Sequence, residues 1–215
     1  MPLLRLHLLR HGQTNASRGN LFCGRRLDPA LTDEGREMAA SFAAAYRERR
    51  WAAIYSSPLD RAVTTAQPLA DAIGLPIETR DGLAEIDYGA WDGMTAQAVA
   101  ERFPIEHARW TADPAWNPPT GGETAVALAQ RVTRELEAIE HTHHDGGNVL
   151  IVAHKATVRV AICALLGVDV GRFRYRFDCP VGSVTIIEFR EHGPFAVAIA
   201  DRSHLEARLR GLEGT

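Results

Sequence analysis

Short apolar runs separated by polar segments predict the strands of this chain. The first run extends from Leu3 to Leu9, and the next two are Trp51 to Tyr55 and Val149 to Ala153. Two later runs, Ser183 to Phe189 and Phe195 to Ala200, predict two further strands. Each run has the length of a strand, and none approaches the roughly eighteen apolar residues that cross a bilayer. The pattern therefore indicates a globular protein without a membrane partner.

Apolar residues at helical spacing fill the segments between these strands. Met38, Phe42, Ala45 and Tyr46 recur at i, i+4, i+7 and i+8, which predicts the buried stripe of a helix capped by Thr32. Strands and helices thus alternate, and this order implies an α/β fold with right-handed parallel crossovers. Further helices are predicted over residues 58–73, 124–141 and 156–166, and a short strand over residues 76–79.

Length and composition are those of one compact domain. The chain has 215 residues, of which 46% are hydrophobic, and this is enough to bury a large core. The alternation is interrupted at residues 82–122, where prolines and three of the four tryptophans are concentrated. We predict a single domain over residues 1–215 that carries a lid of short helices at about residues 82–122.

Charge and cysteine content indicate which binding partners and which cellular compartment to expect. The formal net charge is −3, which gives no general attraction to nucleic acid. Cys23, Cys163 and Cys179 contain no C-x-x-C pair, which argues against a disulfide framework and a zinc site. Charged residues interrupt the first apolar run, so no signal-peptide pattern is present. We expect a cytoplasmic protein without a nucleic-acid partner, and we leave a homodimer open.

Polar residues stand where two of the predicted strands end. Arg10 and His11 follow the first run, and Gly12 allows the chain to leave the sheet sharply. His154 and Lys155 follow the third run. Ligands of open α/β sheets bind in the crevice outside the carboxyl ends of the strands, so we expect these side chains to face one pocket. Taken alone, a strand that simply ends in polar residues is the commoner explanation.

Two more segments bring an arginine and carboxylates to the same crevice. Ser57 precedes Pro58, so we predict that Ser57 caps a helix with Arg61 in its first turn. A glycine-punctuated loop over residues 83–93 supplies a candidate general acid. Its carboxylates are Glu85, which we favour, and Asp87 and Asp92 as alternatives.

Taken in chain order, these segments resemble the histidine phosphatase superfamily over about residues 3–189. The shared pattern is Arg-His-Gly at 10–12, Ser-x-Leu-x-Arg-Ala at 57–62, Leu-x-Glu-x-x-x-Gly-x-Trp-x-Gly at 83–93 and Ala-His at 153–154. The resemblance implies a three-layer α/β/α sandwich with a mostly parallel central sheet, as in phosphoglycerate mutases. It also implies a phosphatase that acts on a small phosphorylated metabolite and needs no metal or other cofactor.

The same resemblance implies a role for each matching residue. His11 becomes transiently phosphorylated, Arg10, Arg61 and His154 hold the phosphoryl oxygens, and Glu85 protonates the leaving oxygen. Residues predicted to lie beside the substrate are Ser17, Cys23, Gly24, Tyr88 and Lys155.

These residue types suit phosphoryl transfer on chemical grounds. A phosphate monoester is doubly negative near neutral pH, so a neutral imidazole attacks it without the repulsion that an anionic nucleophile meets. The guanidinium groups of Arg10 and Arg61 offer rigid forks of N–H donors for the charge on the transferring group. His154 helps only when it is protonated, and a bound dianion should raise its pKa.

The chain departs from the family pattern in ways that bear on substrate. Ser17 and Lys155 stand where many members have asparagine and glycine. Phosphoglycerate mutases carry an extra lysine and paired arginines in their insertion, whereas residues 94–122 offer only Arg102 and Arg109. This favours a phosphatase, and the middle and late segments look most like metal-independent phosphoserine phosphatases. Arg25 and Arg26 are equally suited to bind a carboxylate or to lie in a solvated loop.

Three other functions stay open at this point. A cofactor-dependent phosphoglycerate mutase would transfer phosphate between positions of phosphoglycerate. A catalytically silent module would bind a phosphorylated ligand without turnover, although the complete set of charged residues argues against it. A divalent-metal hydrolase would use the histidine-rich segment at residues 141–145, which we instead interpret as a solvated loop.

Overall fold

The computed structural model describes residues 3–212 and 214. The strands in this part of the chain are β1 (Leu4–Arg10), β2 (Trp51–Ser56), β3 (Ile77–Thr79), β4 (Gly147–Ala153), β5 (Val184–Arg190) and β6 (Gly193–Asp201). The α-helices are α1 (Asn15–Arg18), α2 (Asp33–Tyr46), α3 (Asp60–Ile73), α4 (Ala96–Arg102), α5 (Pro104–Ala112), α6 (Ala125–Thr142), α7 (Lys155–Leu166), α8 (Phe173–Arg176) and α9 (Ala207–Arg210). Short 3₁₀ helices cover Asp81–Leu83, Gly89–Trp91 and Val170–Arg172.

The six strands form one sheet in the order β3-β2-β4-β1-β5-β6. The four strands from β3 to β1 are parallel, β5 pairs antiparallel with β1, and β6 pairs antiparallel with β5. The predicted α/β fold with a mostly parallel sheet is therefore confirmed. Strand β4 lies between β2 and β1, which places the ends of three parallel strands next to one another.

Helices cover both faces of the sheet, because successive residues of a strand point to opposite sides. In β1, Leu8 packs into the apolar core that includes α6 and α7, whereas Leu9 packs into the core formed with α2 and α3. Residues of strand β4 alternate in the same way, since Ile151 packs into the core with α6 and α7 and Val152 into the core with α2 and α3. Three layers result, as the resemblance implied.

Helix α2 begins where the sequence predicts. The side chain of Thr32 accepts a hydrogen bond from the backbone N–H of Gly35 in the first turn. Met38, Phe42 and Tyr46 are buried as expected, but the prediction for Ala45 was wrong, since this residue is exposed. The buried face is centred further round the helix, because it packs against α3 as well as against the sheet, and it includes Ala39 and Ala43 instead.

The predicted start of α3 was wrong by two residues. The helix begins at Asp60, and the side chain of Ser57 does not cap it. The cap comes from a distant loop, where the carboxylate of Asp28 accepts the backbone N–H of Asp60 at 2.6 Å and that of Arg61 at 3.4 Å. Arg61 still lies in the first turn, so its predicted direction towards the crevice holds.

The segment at residues 82–122 consists of short helices and loops. Trp91, Val99 and Trp110 form a small buried cluster there, and Phe22 packs against it from outside the segment. Trp116, by contrast, is exposed. Within residues 3–212, no helix is long and apolar enough to cross a membrane.

Candidate active site

Two histidines meet at the carboxyl edge of the sheet because β1 and β4 are paired in register. Arg10 is opposite Ala153 in this pairing, so the residues that follow, His11 and His154, are neighbours. The backbone N–H of His11 donates to the carbonyl of Ala153 at 3.0 Å, which extends the pairing by one residue. The centroids of the two imidazole rings are 5.1 Å apart.

The hydrogen bond of His11 fixes which ring nitrogen is free. Nδ1 lies 2.7 Å from the carbonyl oxygen of Gly12, and a carbonyl only accepts, so Nδ1 carries the proton and Nε2 keeps its lone pair. Burial, and then the charges of Arg61 and Arg10, hold the pKa of His11 well below its usual value. The ring is therefore neutral near pH 7.

Gly12 itself packs too tightly for a side chain, since a Cβ would lie 2.3 Å from the carbonyl oxygen of Gly35.

Backbone carbonyls anchor the guanidinium group of Arg10. Its Nη1 donates to the carbonyl oxygens of Cys179 at 2.6 Å and Gly214 at 3.0 Å. The residue is 4% exposed, and its buried Nε has no hydrogen-bond partner among the described residues. The N–H groups on that side of the fork are thus available to an anion.

Backbone carbonyls and a carboxylate hold the guanidinium group of Arg61 in a similar way. Its Nη1 donates to the carbonyl of Leu27 at 2.6 Å and to the carboxylate of Asp28 at 3.0 Å, and its Nη2 donates to the carbonyl of Gly24 at 3.2 Å. Within the described part of the chain its buried Nε is unpaired. Asp28 thus has two tasks, because it caps α3 and orients the arginine at the start of that helix.

Glu85 is fixed against the N-terminus of α7. Its Oε1 accepts the backbone N–H groups of Ile86 at 2.9 Å and Thr157 at 3.2 Å and the hydroxyl of Thr157 at 3.0 Å. Its Oε2 accepts only the backbone N–H of Ala156, at 3.1 Å, among the described residues. Oε2 therefore accepts fewer hydrogen bonds than Oε1 and retains acceptor capacity.

His154 is fully buried and its Nε2 lies 2.7 Å from the hydroxyl oxygen of Ser57. Burial, and then the charges of Arg61, His11 and Arg10, hold the pKa of His154 well below its usual value. The ring is therefore neutral in the protein alone. The prediction that His154 becomes a charged donor concerns the complex with a dianion, and it stays a prediction.

These groups surround one cavity of about 250 Å³. That volume suits a small metabolite, since it lies just below the range of about 300–1,000 Å³ that is usual for ligand pockets. Predicted site residues that line the cavity are Arg10, His11, Ser17, Cys23, Arg61, Glu85, Tyr88 and Lys155. His154 does not line the cavity, but its ring lies beside that of His11.

Comparison with known proteins agrees with this arrangement. The model of the histidine phosphatase superfamily (branch 1) matches residues 6–202. The chain belongs to this superfamily. Phosphoserine phosphatase 1 of Hydrogenobacter thermophilus is 32% identical over 203 residues, which cover 94% of this chain and 95% of that protein.

Two further relatives are matched over different shares of their own length. The bifunctional protein Rv2228c of Mycobacterium tuberculosis is 38% identical over 202 residues, which cover 93% of this chain but only 54% of that longer protein. The solved structure of a mycobacterial glucosyl-3-phosphoglycerate phosphatase superposes with a TM-score of 0.85 at 26% identity and covers 93% of this chain and all of its own. The three-layer fold is thus that of the phosphatases in this superfamily.

The residues predicted to lie beside the substrate of this histidine phosphatase differ in what they can do. The hydroxyl of Ser17 donates to the carbonyl of Thr14 at 3.0 Å and accepts a hydrogen bond from the backbone N–H of Thr14 at 2.9 Å. Ser17 thus mainly stabilises the N-terminus of helix α1. Burial raises the pKa of Cys23 to about 11, which leaves a neutral thiol. Burial, and then the charge of Glu85, raise the pKa of Tyr88, so its hydroxyl remains a neutral donor.

Gly24 is the predicted substrate residue that does not line the cavity. A Cβ at this position would lie 2.5 Å from the carbonyl oxygen of Ile86 and 2.9 Å from the amide nitrogen of Tyr88. Its backbone N–H donates to Asp92 at 2.6 Å, and its carbonyl accepts from Arg61. Gly24 therefore joins two loops closely and acts on the site through Arg61.

The alternative candidate acids and the candidate metal ligands of this histidine phosphatase lie outside the cavity. Asp87 pairs with Arg26 and accepts the N–H of Gly89, and neither Asp87 nor Asp92 lines the cavity. Residues 141–145 lie at the end of α6 and in the turn that follows. Within residues 3–212, no three His, Cys, Asp or Glu side chains are grouped so as to hold a metal ion.

The sequence did not single out two cationic residues that line the cavity, Arg159 and Arg174. Arg159 follows Lys155 by four positions, which places both on one face of α7. The sequence feature that could have pointed to Arg159 is an arginine among the mostly apolar residues of α7. Arg174 lies on the short helix α8, and the sequence around it gave no such signal.

Proposed function

We propose that this chain hydrolyses the phosphate monoester of a small metabolite through a phosphohistidine at His11, without a metal ion. The observation that carries the proposal is the bond from Nδ1 of His11 to the carbonyl of Gly12, which leaves Nε2 unprotonated in a cavity that the anchored guanidinium groups of Arg10 and Arg61 also line. This is the arrangement that attack on a phosphate dianion requires.

In the first step, the phosphate is held by the free N–H groups of Arg10 and Arg61. The lone pair on Nε2 of His11 forms a bond to phosphorus, and the bond from phosphorus to the ester oxygen breaks. Glu85 gives its proton to that oxygen, so the product leaves as an alcohol. The negative charge on the three remaining phosphoryl oxygens stays paired with the guanidinium groups.

In the second step, water replaces the alcohol. Glu85, now a carboxylate, takes a proton from the water as its oxygen bonds to phosphorus, and the bond between nitrogen and phosphorus breaks. Inorganic phosphate leaves, and His11 and Glu85 return to their starting forms. The donors that fix Glu85 suit it to both steps, because they hold its carboxyl group at one place on the cavity wall.

The charge of the cavity supports the absence of a metal from this reaction. Arg10, Arg61, Lys155, Arg159 and Arg174 all line it, and together they would repel a divalent cation. They supply the positive charge that a metal provides in other phosphatases. We expect turnover to persist in excess chelator, and complete loss that added Mg²⁺ restores would contradict this part of the proposal.

Trapping of the intermediate tests the function. During turnover of p-nitrophenyl phosphate, rapid quenching in base should yield one acid-labile phosphoryl group on the peptide that contains His11. The variant His11→Asn should fold, carry no label and lose hydrolysis. His192→Ala is the matched control, since His192 is exposed in the turn between β5 and β6 and should label like the unmodified protein. Equal labelling of His11→Asn would overturn the assignment.

Residues 82–122 and the remainder of the chain form one functional unit in this proposal. The segment contributes Glu85, Tyr88 and Trp110 to the cavity wall, which suits a lid over the substrate. Relatives named as phosphatases of phosphoserine and of glucosyl-3-phosphoglycerate support a small phosphorylated metabolite as substrate.

We also infer a cytoplasmic enzyme that acts without nucleic acid or membrane. The cysteines in the described residues are unpaired, which suits a reducing compartment. A homodimer remains our proposal, because Phe195, Val197 and Ile199 are exposed along the edge strand β6, and a second copy would cover them. Light scattering at micromolar concentration tests it, and a monomer there would contradict it.

A further inference from the structure

Three cationic side chains line the cavity in addition to those that would hold the phosphate. Lys155 is the first residue of α7, and Arg159 lies one turn further on the same face, a rise of about 6 Å along the axis. Arg174 reaches the cavity from α8. The cavity lined by His11, Arg10 and Arg61 is thus also lined by a further group of positive charges, which we call the α7–α8 cluster (Lys155, Arg159 and Arg174).

Protein groups do not neutralise this cluster. Among the described residues, no carboxylate lies within 4.0 Å of the charged nitrogens of Lys155 or Arg174. Arg159 has one acidic neighbour, Asp178 at 3.6 Å, whose side chain is 68% exposed whereas that of Arg159 is 12% exposed. Nε of Arg159 and Nη1 of Arg174 are buried without a hydrogen-bond partner in the described part of the chain.

Burial distinguishes this cluster from an ordinary solvated surface. Exposed lysines and arginines are hydrated and need no partner, but these side chains are largely withdrawn from water. Burial, and then the charges of Arg10 and Arg159, lower the pKa of Lys155 to about 8. The positive charges thus act on one another across the cavity, and an anion would relieve the repulsion.

The guanidinium of Arg174 is held in place before any ligand binds. It lies 3.8 Å from the centroid of the Trp110 ring, which is close enough for a cation–π contact. Trp110 belongs to the buried aromatic cluster of residues 82–122. The insertion therefore supports a cationic group in the cavity while its own arginines, Arg102 and Arg109, are exposed.

We propose that the α7–α8 cluster is a second anion site, which binds a carboxylate of the substrate while the phosphate occupies the site between Arg10 and Arg61. The inference rests on the proposed phosphatase function and narrows its substrates to phosphate esters of small hydroxy acids and hydroxy amino acids. A carboxylate suits the cluster because it is planar and can pair with a guanidinium fork through two hydrogen bonds. The cavity volume of about 250 Å³ keeps the acid small.

Pairs of substrates that differ only in the carboxylate test this proposal. 3-Phosphoglycerate is compared with glycerol 3-phosphate, and phosphoserine with phosphoethanolamine. Because hydrogen bonds to charged groups are strong, we expect the acidic member of each pair to have a kcat/KM about 10- to 100-fold higher. Glycerol 1,3-bisphosphate carries a second phosphate instead of a carboxylate, and we expect it to be a poorer substrate than 3-phosphoglycerate.

Variants then locate the discrimination. Arg159→Gln and Arg174→Gln should reduce the ratio of kcat/KM within each pair towards one, mainly by raising KM for the acidic substrate. Arg159→Lys keeps the charge and should retain part of the ratio. The matched control is Arg109→Gln, which removes an exposed arginine of the insertion and should preserve the ratio. Circular dichroism confirms folding, and Lys155→Met serves in place of any variant that fails to fold.

Different results would refute the carboxylate site and the proposed phosphatase function. Equal kcat/KM within both pairs in the unmodified protein would overturn the carboxylate site and leave the phosphatase intact. A preference for glycerol 1,3-bisphosphate over 3-phosphoglycerate would also overturn it, and so would a ratio that the folded variants of the cluster preserve. Failure to hydrolyse p-nitrophenyl phosphate or any other monoester would instead refute the proposed function.

Discussion

Replacement of Glu85 by glutamine is the sharpest perturbation of the proposed proton transfer. The side chain keeps its size, but one carboxylate oxygen becomes an NH₂ group that can neither accept a hydrogen bond nor give up a proton. Four donors from Ile86, Ala156 and Thr157 surround the carboxylate. Whichever way the amide turns, at least one of these donors loses its acceptor.

The structure sets the size of both effects. A buried donor without an acceptor costs about 1–3 kcal/mol, and each kcal/mol lowers Tm by roughly 2–4 °C in a chain of this length. Loss of a general acid slows proton transfer about 10²- to 10⁴-fold. That second loss applies to kcat/KM for an alkyl phosphate, whose alkoxide needs a proton as the phosphoryl group moves to His11, whereas p-nitrophenolate departs without one, so kcat/KM for p-nitrophenyl phosphate should fall less than about tenfold. The kcat should fall for both substrates, because hydrolysis of the phosphohistidine needs Glu85 as a base.

Steady-state kinetics of Glu85→Gln on an alkyl phosphate and on p-nitrophenyl phosphate measure the difference directly. Asp92→Asn is the control from the same loop, because Asp92 binds the N–H of Gly24 and does not line the cavity. We expect this control to slow both substrates alike. If Glu85→Gln lowers kcat/KM for both substrates by the same factor, Glu85 is not the acid.

Three further predictions concern the cavity and its support. Burial and the charges of Arg10 and Arg159 lower the pKa of Lys155 to about 8, so kcat/KM for an acidic phosphate ester should fall between about pH 7 and pH 9. Lys155→Met should flatten that limb of the pH profile, and an unchanged limb would contradict the assignment. Burial lowers the pKa of His7 from 6.5 to about 4, so its contribution to stability is present above pH 6.5 and lost as the pH falls towards 4. Urea unfolding of His7→Gln should lack this loss of about 3 kcal/mol, and the same pH dependence in both proteins would refute it. Gly12→Ala would place a Cβ 2.3 Å from the carbonyl oxygen of Gly35, so we expect a loss of about 1–3 kcal/mol and a lower kcat, and normal values of both would contradict the packing argument.

The strand-end residues were the most predictable part of the site. An apolar run that ends in Arg10 and His11, and another that ends in His154, sufficed to predict that these side chains share one edge of a parallel sheet. The sequence could not show that β4 lies directly beside β1 and brings the imidazoles together, since strand pairing depends on contacts far apart in the chain.

Features that depend on distant partners were missed. Ser57 and Pro58 form a convincing local helix start, yet the N-terminus of α3 is capped by Asp28 from another loop. The local capping preference of Ser57 is overridden because the tertiary structure brings a stronger acceptor, the carboxylate of Asp28, to the start of the helix. Arg159 and Arg174 were missed for a related reason, because they reach the cavity only when α7 and α8 pack beside the insertion.

A crystal structure with orthovanadate bound tests the central claim most directly, because vanadate adopts the geometry of the transferring phosphoryl group. The account predicts vanadium bonded to Nε2 of His11, with its oxygens in contact with the guanidinium groups of Arg10 and Arg61. Vanadate bonded to another side chain, or a His11 ring that has turned its Nδ1 towards the ligand, would contradict it.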